Sequence, residues 1–140
     1  MATHRSAVEY RWRGSFTNDE VNVLHAEAFA TRVFDASEWD WVALTDRHSM
    51  GWTTARLDGR LVGFVNVVWD GLVHAWIQDV MVAATSRNRG IATAMIDRVR
   101  SEVAAAGCEW LHVDFDEELA DLYIGSCGFE RTSAGILRLD

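Results

Sequence analysis

Apolar residues recur along the chain at two spacings, and these spacings predict its strands and helices. Val8 to Arg13 alternates apolar and polar positions, which predicts a first strand. Thr17-Asn18-Asp19-Glu20 has the sequence of a capping box, and apolar residues at helical spacing follow it from Val21 onward. A second, short helix is predicted from Ser37 to about Thr45.

The middle of the chain has the pattern of an antiparallel meander. Strands are predicted at Trp52–Leu57, Leu61–Trp69 and Leu72–Ala83. They are joined by Asp58-Gly59 and Asp70-Gly71, two dipeptides that favour type I′ hairpin turns. We therefore expect three consecutive antiparallel strands.

The pattern changes after the meander. A short polar segment, Ser86 to Gly90, precedes a helix predicted over Ile91–Ala106, and Gly107 is a natural stop for that helix. Trp110 to Phe115 is predicted as a strand. Leu72–Ala83, the helix and this strand make one βαβ unit, so we expect a parallel strand pair with a right-handed crossover.

A helix over Glu117–Ile124 and a final strand or hairpin over Gly128–Leu139 complete the prediction. The order of elements is β-α-α-β-β-β-α-β-α-β. This order indicates an α/β fold of the α+β type, in which helices cover a mixed sheet.

Composition narrows the class of protein. The 140 residues favour a single domain over 1–140, and 49% of them are apolar. The chain has no apolar run long enough for a membrane span and no signal-peptide pattern at its start. The two cysteines form no disulfide framework, and no Cys/His cluster has zinc spacing, so we expect a cytoplasmic protein without a metal or a membrane partner.

The net charge of −8 argues against nucleic acid as a partner, because phosphate contacts need clustered Lys and Arg. It is compatible with a cationic substrate, although solubility alone also explains it.

The segment from Arg87 to Thr93 is the main candidate for chemistry. A buried strand runs into a short polar loop and a helix begins at once, which places free backbone N–H groups at the positive end of a helix dipole. Such an end binds phosphate or pyrophosphate, and Gly90 permits close approach because it has no Cβ. Arg87 and Arg89 can add charge-assisted hydrogen bonds, although a tight turn with solvated arginines is the structural alternative.

Three segments in order resemble the GNAT superfamily of N-acetyltransferases. Arg87-Asn88-Arg89-Gly90-Ile91-Ala92 matches the Arg/Gln-x-x-Gly-x-Gly/Ala signature of that family. Ile77–Val82 looks like its fourth strand, and Ala120–Phe129 looks like its Tyr-containing element with altered spacers. The similarity in motifs covers roughly Trp52 to Leu139.

The resemblance implies a GNAT-like fold with a splayed central parallel strand pair and acetyl-CoA as the acyl donor. It implies that the pantetheine arm pairs with the free backbone edge at Val80, Met81 and Val82. The pyrophosphate is then expected to bind Arg87, Asn88, Arg89, Gly90, Ile91, Ala92 and Thr93.

Direct transfer to an amine needs a proton donor for the thiolate and a base for the amine. Tyr123 looks like the family's general acid, and a core tyrosine is the alternative. The base is open, because Trp76 and Gln78 occupy the positions where related enzymes often carry Glu or His. Asp79 and His74 are the candidates, against structural or packing roles for both.

The resemblance also locates a variable acceptor site. We expect an aromatic and acidic wall that suits a cationic or aromatic amine, although packing in the core is an equal alternative for two of its members. The predicted substrate-binding residues are Trp39, Trp41, Trp52, Trp76 and Gln78, with Asp35, Glu38 and Asp40 close to the first two.

The leading hypothesis is thus an N-acetyltransferase that moves an acetyl group from acetyl-CoA to a primary amine of a small molecule or peptide. The alternatives are a non-catalytic acyl-CoA-binding sensor or regulatory module and a toxin-like or ribosomal-protein acetylating member. A homodimer in which Gly135–Leu139 takes part is also expected.

Overall fold

A five-stranded sheet forms the centre of the computed structural model, which describes residues 7–140. The strands lie in sequence order, and neighbours are antiparallel except for the last pair, which is parallel. They are β1 Glu9–Trp12, β2 Gly51–Leu57, β3 Arg60–Trp69, β4 His74–Val82 and β5 Trp110–Val113. The α-helices are α1 Asn18–Phe29, α2 Trp41–His48 and α3 Ile91–Ala105.

Helix α1 begins as its sequence predicts. The Thr17 hydroxyl accepts a hydrogen bond from Glu20 N at 3.1 Å, and the Glu20 carboxylate accepts one from Thr17 N at 3.0 Å. This reciprocal pair satisfies donors that the first turn of a helix leaves free. The capping box is confirmed.

Helix α2 begins later than predicted. Asp40 is its N-cap and accepts from Ala43 N at 2.9 Å, so the helix starts at Trp41 and not at Ser37. Ser37 lies instead in a turn, where its N–H donates to the Asp35 carboxylate at 2.8 Å. Asp and Ser side chains both stabilise caps and turns, and the sequence alone did not decide between two possible starts.

The two Asp-Gly dipeptides form different turns. Asp58 and Gly59 have φ values of 51° and 80°, as a type I′ turn requires. At the second, only Gly71 has a positive φ, of 77°, so the prediction of type I′ is wrong there. The Asp70 carboxylate accepts from Leu72 N at 2.7 Å and from His74 N at 3.2 Å, and these bonds stabilise a longer loop.

The helices cover both faces of the sheet. Trp41 of α2 meets Phe64 of β3 edge-on, with ring centroids 6.0 Å apart. On the opposite face, a Cβ on Gly63 would lie 2.9 Å from Met95 Sδ of α3. Consecutive strand residues point to opposite faces, so α1 and α2 pack on one side and α3 on the other. The missing Cβ lets α3 approach the sheet closely.

The C-terminal part differs most from its prediction. Glu117–Leu119 is a short 3₁₀ turn and Asp121–Ser126 is a π-helical turn, where one α-helix was predicted. Gly128–Leu139 forms no strand, and Ile136, Leu137 and Leu139 are exposed. Strand β5 is therefore the edge of the described sheet, and the parallel pair is not central. The α/β class and the order of the elements up to β5 are confirmed.

Candidate active site

A β-bulge in β4 shapes the candidate site. Val65 of β3 is flanked by the pairs Phe64↔Met81 and Asn66↔Gln78, so two residues of β4, Asp79 and Val80, lie opposite one residue of β3. Asp79 adopts the left-handed backbone conformation, with φ of 57°. Bulges of this kind bend the strand and strengthen its twist.

The bulge coincides with the point where β4 leaves β5. The parallel pairing ends at Ile77↔Val113, whereas the pairing of β4 with β3 continues to Val82. The N–H of Ala83 donates to Val62 O at 2.8 Å, so Met81 also directs its backbone toward β3. Val80 and Val82 consequently direct their N–H and C=O groups to the open side. They form a free strand edge inside the sheet.

The loop after β4 ends in a cluster of free N–H groups. Asn88 and Gly90 have φ values of 63° and 73°, and left-handed residues turn neighbouring N–H groups toward one concave side. Gly90 is the N-cap of α3, and no side chain caps this helix. Its first backbone hydrogen bond is donated by Ala94 to Gly90 O at 3.0 Å. The N–H groups of Ile91, Ala92 and Thr93 therefore remain available to an anion.

The two arginines of the loop have different surroundings. Arg87 Nη2 donates to Ala28 O at 3.2 Å, which ties the loop to the end of α1. Arg89 is exposed and makes no hydrogen bond or ion pair with the described residues. A cleft of about 380 Å³ beside the loop is lined by Arg60 and Arg89 among others. Arg89 is thus the side chain with an uncommitted charge.

Tyr123 packs beside the end of β5. Its ring stacks on Phe115, just beyond β5, with centroids 5.1 Å apart, and the residue is 4% exposed. Its hydroxyl has no hydrogen-bond partner among residues 7–140. Burial, and secondarily the neighbouring Cys127 thiol, raise the pKa of Tyr123 to about 12. The phenol is therefore protonated at neutral pH and can donate a hydrogen bond.

Cys127 is a buried thiol beside the start of α3. Burial raises its pKa, while a hydrogen bond with Thr93 opposes the shift. A thiol in this state is a poor nucleophile. Its carbonyl accepts from Arg100 Nη2 at 2.8 Å, which holds the Tyr123 segment against α3.

Asp79 projects from the bulge toward α1. Burial raises the pKa of Asp79, and the imidazole of His25 and the side chain of Asn66 oppose that rise. Asn66 of β3 pairs with Gln78, the residue before Asp79, and is 1% exposed. The Nδ1 atom of His25 and the Nδ2 atom of Asn66 are buried without a hydrogen-bond partner among the described residues.

His74, the second candidate base, lies away from this cluster. It begins β4, roughly 20 Å from Val80 at about 3.3 Å per strand residue. Its Nδ1 lies 2.8 Å from Nε2 of His112, and Trp76 stacks on the His112 ring at 4.8 Å. The structure thus places His74 in a packed pair with His112 and too far from the splay for direct proton transfer.

The predicted tryptophans separate into two groups. Trp41 is 1% exposed and donates to Asn22 Oδ1 at 2.9 Å, so it is core and does not reach a ligand. Trp52 lies on β2, two strands from β4, and donates to Gly14 O at 2.7 Å. Trp39, in contrast, is 46% exposed and packs on Trp41 with centroids 5.6 Å apart. Of these three, only Trp39 presents an exposed face.

The remaining two substrate candidates lie on β4. Trp76 and Gln78 pair with Val68 and Asn66, so they lie on the face that carries α1 and α2. Trp76 is half-buried and Gln78 is exposed. Both remain on the same face as Asp79.

The acidic residues near Trp39 already have partners. Glu38 forms an ion pair with Arg32, and Asp35 caps the turn at Ser37. Asp40 accepts from Asn18 Nδ2 at 2.9 Å in addition to capping α2. Hydrogen bonds lower the pKa of all three carboxyls, so they are ionised and serve the local fold. The predicted acidic wall therefore offers few free carboxylate oxygens.

His25 and Asn66 were not predicted as site residues. Each carried a signal in the sequence. His25 follows Val21 by one helical turn, on the face of α1 that packs on the sheet. Asn66 interrupts the apolar run of β3, where a polar side chain must find a partner or a ligand.

Residues 7–140 were also searched for metal-binding groups and membrane-spanning helices. No group of three or more His, Cys, Asp or Glu side chains is arranged to hold a metal ion within this range. Within the same range, none of the helices has the length and the apolar content needed to cross a bilayer.

The chain matches a protein-family model and several solved structures. The family model described as Acetyltransferase (GNAT) family matches residues 11–129. No curated protein sequence matches the chain. Among solved structures, an acetyltransferase from Trypanosoma brucei is 21% identical, with a TM-score of 0.78 over 96% of this chain and 99% of that one.

Two other similar structures have more specific names. An aminoglycoside N-acetyltransferase in complex with CoA is 18% identical, with a TM-score of 0.76 over 100% of this chain and 99% of that one. A ribosomal-protein-alanine N-acetyltransferase from Brucella melitensis is 22% identical, with a TM-score of 0.72 over 96% and 100% of the two chains. At these identities the likeness shows the fold.

Proposed function

Because the chain belongs to the acetyltransferase (GNAT) family, we propose that it transfers an acetyl group from acetyl-CoA directly to a primary amine. The acceptor in this proposal is a small molecule or a peptide. The observation that carries the proposal is the combination of a free strand edge at Val80 and Val82 with uncapped N–H groups at the start of α3. One ligand that is both amide-rich and doubly anionic satisfies both sets of groups.

The residues present fit acetyl-CoA. Val80 and Val82 offer backbone donors and acceptors to the amide groups of a pantetheine arm, as a neighbouring strand would. Asn88, Gly90 and the N–H groups of Ile91, Ala92 and Thr93 would hold the pyrophosphate, with Arg89 adding charge. Met81 and Arg87 stay in the predicted cofactor set, but the backbone of Met81 faces β3 and Arg87 bonds Ala28. Acetyl-CoA supplies the thioester that makes acyl transfer favourable.

Tyr123 is the proposed general acid. Its protonated hydroxyl is free of other hydrogen bonds, so it can protonate the departing thiolate. A free N–H of the splayed strand, at Val80 or Val82, would stabilise the negative charge that develops on the carbonyl oxygen. Asp79 is the proposed group that receives the amine, because its carboxylate lies on the bulge next to Val80.

The acceptor site is proposed to lie on the face of the sheet that carries α1 and α2. Trp39 is its exposed aromatic wall, and Trp76 and Gln78 lie on the same face. An exposed indole favours a cationic or aromatic amine through its π face. The aminoglycoside acetyltransferase and the ribosomal-protein-alanine acetyltransferase act on such different acceptors that the acceptor here must be found by experiment.

The test is an amine panel with acetyl-CoA, in which release of the CoA thiol is followed with a thiol reagent. The panel includes 2-phenylethylamine, spermidine, kanamycin and an alanine-initiated peptide. We expect turnover with at least one of these amines and micromolar binding of acetyl-CoA by calorimetry. If calorimetry detects no binding of acetyl-CoA, the proposal is wrong.

A non-catalytic acyl-CoA sensor is the second candidate. It is favoured by Trp76 and Gln78, which cannot act as bases at the positions where related enzymes often carry one. Binding of acetyl-CoA without turnover of any panel amine would support the sensor over the enzyme. In an enzyme, Tyr123→Phe should lower turnover while the binding of acetyl-CoA survives.

Two finer proposals concern assembly and location. We propose that the chain forms a homodimer in which Gly135–Leu139 takes part, because Ile136 and Leu139 are more than nine-tenths exposed, at 91% and 92%. Sedimentation at micromolar concentration, with and without residues 135–140, tests this. A cytoplasmic location stays a prediction that rests on the two free thiols, Cys108 and Cys127.

A further inference from the structure

Two histidines from neighbouring strands form a hydrogen-bonded pair. Nδ1 of His74, the first residue of β4, lies 2.8 Å from Nε2 of His112 in β5, and the ring centroids are 5.0 Å apart. A neutral imidazole carries one N–H and one acceptor nitrogen, so one ring donates to the other at this distance. Nδ1 of His112 has no hydrogen-bond partner among residues 7–140 and remains available.

The pair lies on the proposed acceptor face, at the point where β4 and β5 separate. His112 pairs in register with Trp76, and its ring stacks on the Trp76 indole with centroids 4.8 Å apart and planes at 16°. Trp76 lies on the face that carries α1 and α2, so His112 lies there too. The next pair, Ile77↔Val113, is the last one between these strands. His112 is therefore the last residue of β5 on this face before the strands part.

The register also brings His112 close to the proposed position of the acceptor amine. Gln78 is exposed on the same face and lies two positions beyond Trp76, which is roughly 7 Å along β4 at about 3.3 Å per residue. An amine held by Asp79, as proposed, would lie above Gln78. Its proton can then pass to the His112 ring directly or through one water molecule. His74 begins β4 and is too distant for this transfer, so it can act only through His112.

An imidazole suits the role of base better than a carboxylate. Histidine exchanges a proton between about pH 5 and 8, whereas an ordinary aspartate does so near about pH 3.9. We infer that His112 is the general base of the acetyl transfer and that His74 is its positioning residue. His74 accepts the Nε2–H of His112, which leaves Nδ1 of His112 unprotonated and able to take the amine proton. The Trp76 ring stacked on His112 stabilises the resulting imidazolium through its π face.

This inference rests on the proposed function and completes its proton balance. The amine nitrogen attacks the carbonyl carbon of the thioester, a C–N bond forms and the C–S bond breaks. The amine proton passes to Nδ1 of His112, whose Nε2–H stays bonded to His74, while Tyr123 gives its phenolic proton to the thiolate. His112 then releases its proton to solvent and Tyr123 regains one, so the cycle closes without another reactant.

A measurement on the free protein tests the direction of the hydrogen bond. Long-range ¹H–¹⁵N NMR of the wild type at about pH 8.5, where histidines are neutral, identifies the nitrogen that carries the proton in each ring. We expect the proton on Nε2 of His112 and on Nε2 of His74. A proton on Nδ1 of His112 would overturn the inference, because that nitrogen could not then receive one, whatever the protein does with acetyl-CoA.

Kinetics test the proton transfer to His112. The panel amine with the fastest turnover is assayed with His112→Asn, and His48→Asn is the matched control because His48 is exposed at the end of α2. We expect His112→Asn to lower kcat by about 10²-fold with acetyl-CoA affinity unchanged, while the control keeps the wild-type kcat. Equal kcat values for the two variants would overturn the role of His112.

The positioning role of His74 is tested with two substitutions of similar size. The amide oxygen in His74→Asn can accept the Nε2–H of His112 in place of Nδ1, whereas the side chain in His74→Leu cannot. We expect kcat to be about 10-fold lower in His74→Leu than in His74→Asn, which corresponds to one hydrogen bond. Equal kcat values would show that His74 only packs against its neighbours, and its positioning role would be overturned.

The outcomes separate this inference from the proposed function. Turnover that survives His112→Asn, or a proton on Nδ1 of His112, would overturn the inference and leave the transferase proposal intact. Failure of acetyl-CoA to bind, or binding without turnover of any panel amine, would overturn both. If the variants at His74 or His112 do not fold, the NMR measurement still decides, because it uses the wild-type protein.

Discussion

Replacement of Gly90 by alanine should affect both the stability of the fold and the binding of acetyl-CoA. A control variant separates these two effects. Gly90 has φ of 73°, and no atom lies within 4 Å of the position that a Cβ would occupy. The added methyl group therefore meets no protein atom. It would lie beside the uncapped start of α3, where the pyrophosphate is proposed to bind.

The effect on stability follows from the backbone alone. An alanine in the left-handed region costs roughly 1–2 kcal/mol relative to glycine. For a chain of 140 residues the unfolding entropy is about 0.3 kcal/mol per kelvin, so Gly90→Ala should lower Tm by about 3–7 °C. Gly71→Ala is the matched control, since Gly71 has φ of 77°, equally open space and a position in the β3–β4 loop, away from α3.

The effect on binding should distinguish the two variants. A hydrogen bond to a charged acceptor contributes about 1.5–3 kcal/mol, so displacement of the pyrophosphate from one N–H group weakens affinity about 10- to 100-fold. Calorimetry with acetyl-CoA should show this loss for Gly90→Ala and wild-type affinity for Gly71→Ala. If both variants lose the same stability and Gly90→Ala binds as tightly as the control, α3 does not hold the pyrophosphate.

Four other variants test the same structure. Tyr123→Phe should lower kcat about 10²-fold or more while acetyl-CoA affinity stays the same, as stopped-flow thiol release and calorimetry would show; an unchanged kcat would refute its role as an acid. Trp41→Phe should lower the free energy of unfolding in urea by about 1–3 kcal/mol, because it leaves Asn22 Oδ1 unpaired. Trp39→Ala should instead raise the KM for the amine with little loss of stability, because Trp39 is exposed. Asp79→Asn should raise Tm at pH 7, because burial raises the pKa of Asp79 and the charged form is penalised in the folded state. That gain should disappear as the pH falls toward the unfolded pKa of Asp, and a stability difference independent of pH would contradict it.

The sequence predicted the elements whose signals are local. The capping box at Thr17, the Asp58-Gly59 turn and the helix after Gly90 each depend on a few adjacent residues, and each formed as expected. The Asp70-Gly71 turn differed because the Asp70 carboxylate bonds the backbone on the far side of the loop. Local propensity does not include such a bond.

The candidate site was less accessible from the sequence, because it depends on register. Asp79 lies in a β-bulge with a left-handed backbone, and no sequence pattern in Ile77–Val82 predicts the extra residue. The core position of Trp41 depends equally on tertiary contacts with Asn22 and Phe64. The last strand or hairpin predicted at Gly128–Leu139 has no neighbouring strand to pair with in the described structure.

The bulge at Asp79 makes the proposed site depend on a single extra residue in β4. One extra residue of β4 lies where this strand leaves β5, and it places Asp79 beside the free strand edge that is proposed to bind acetyl-CoA. Deletion of Asp79 would remove the bulge, and β4 could then continue its parallel pairing with β5. Natural insertion or deletion at this position would therefore change the proposed site, while β1, β2 and β3 keep their registers.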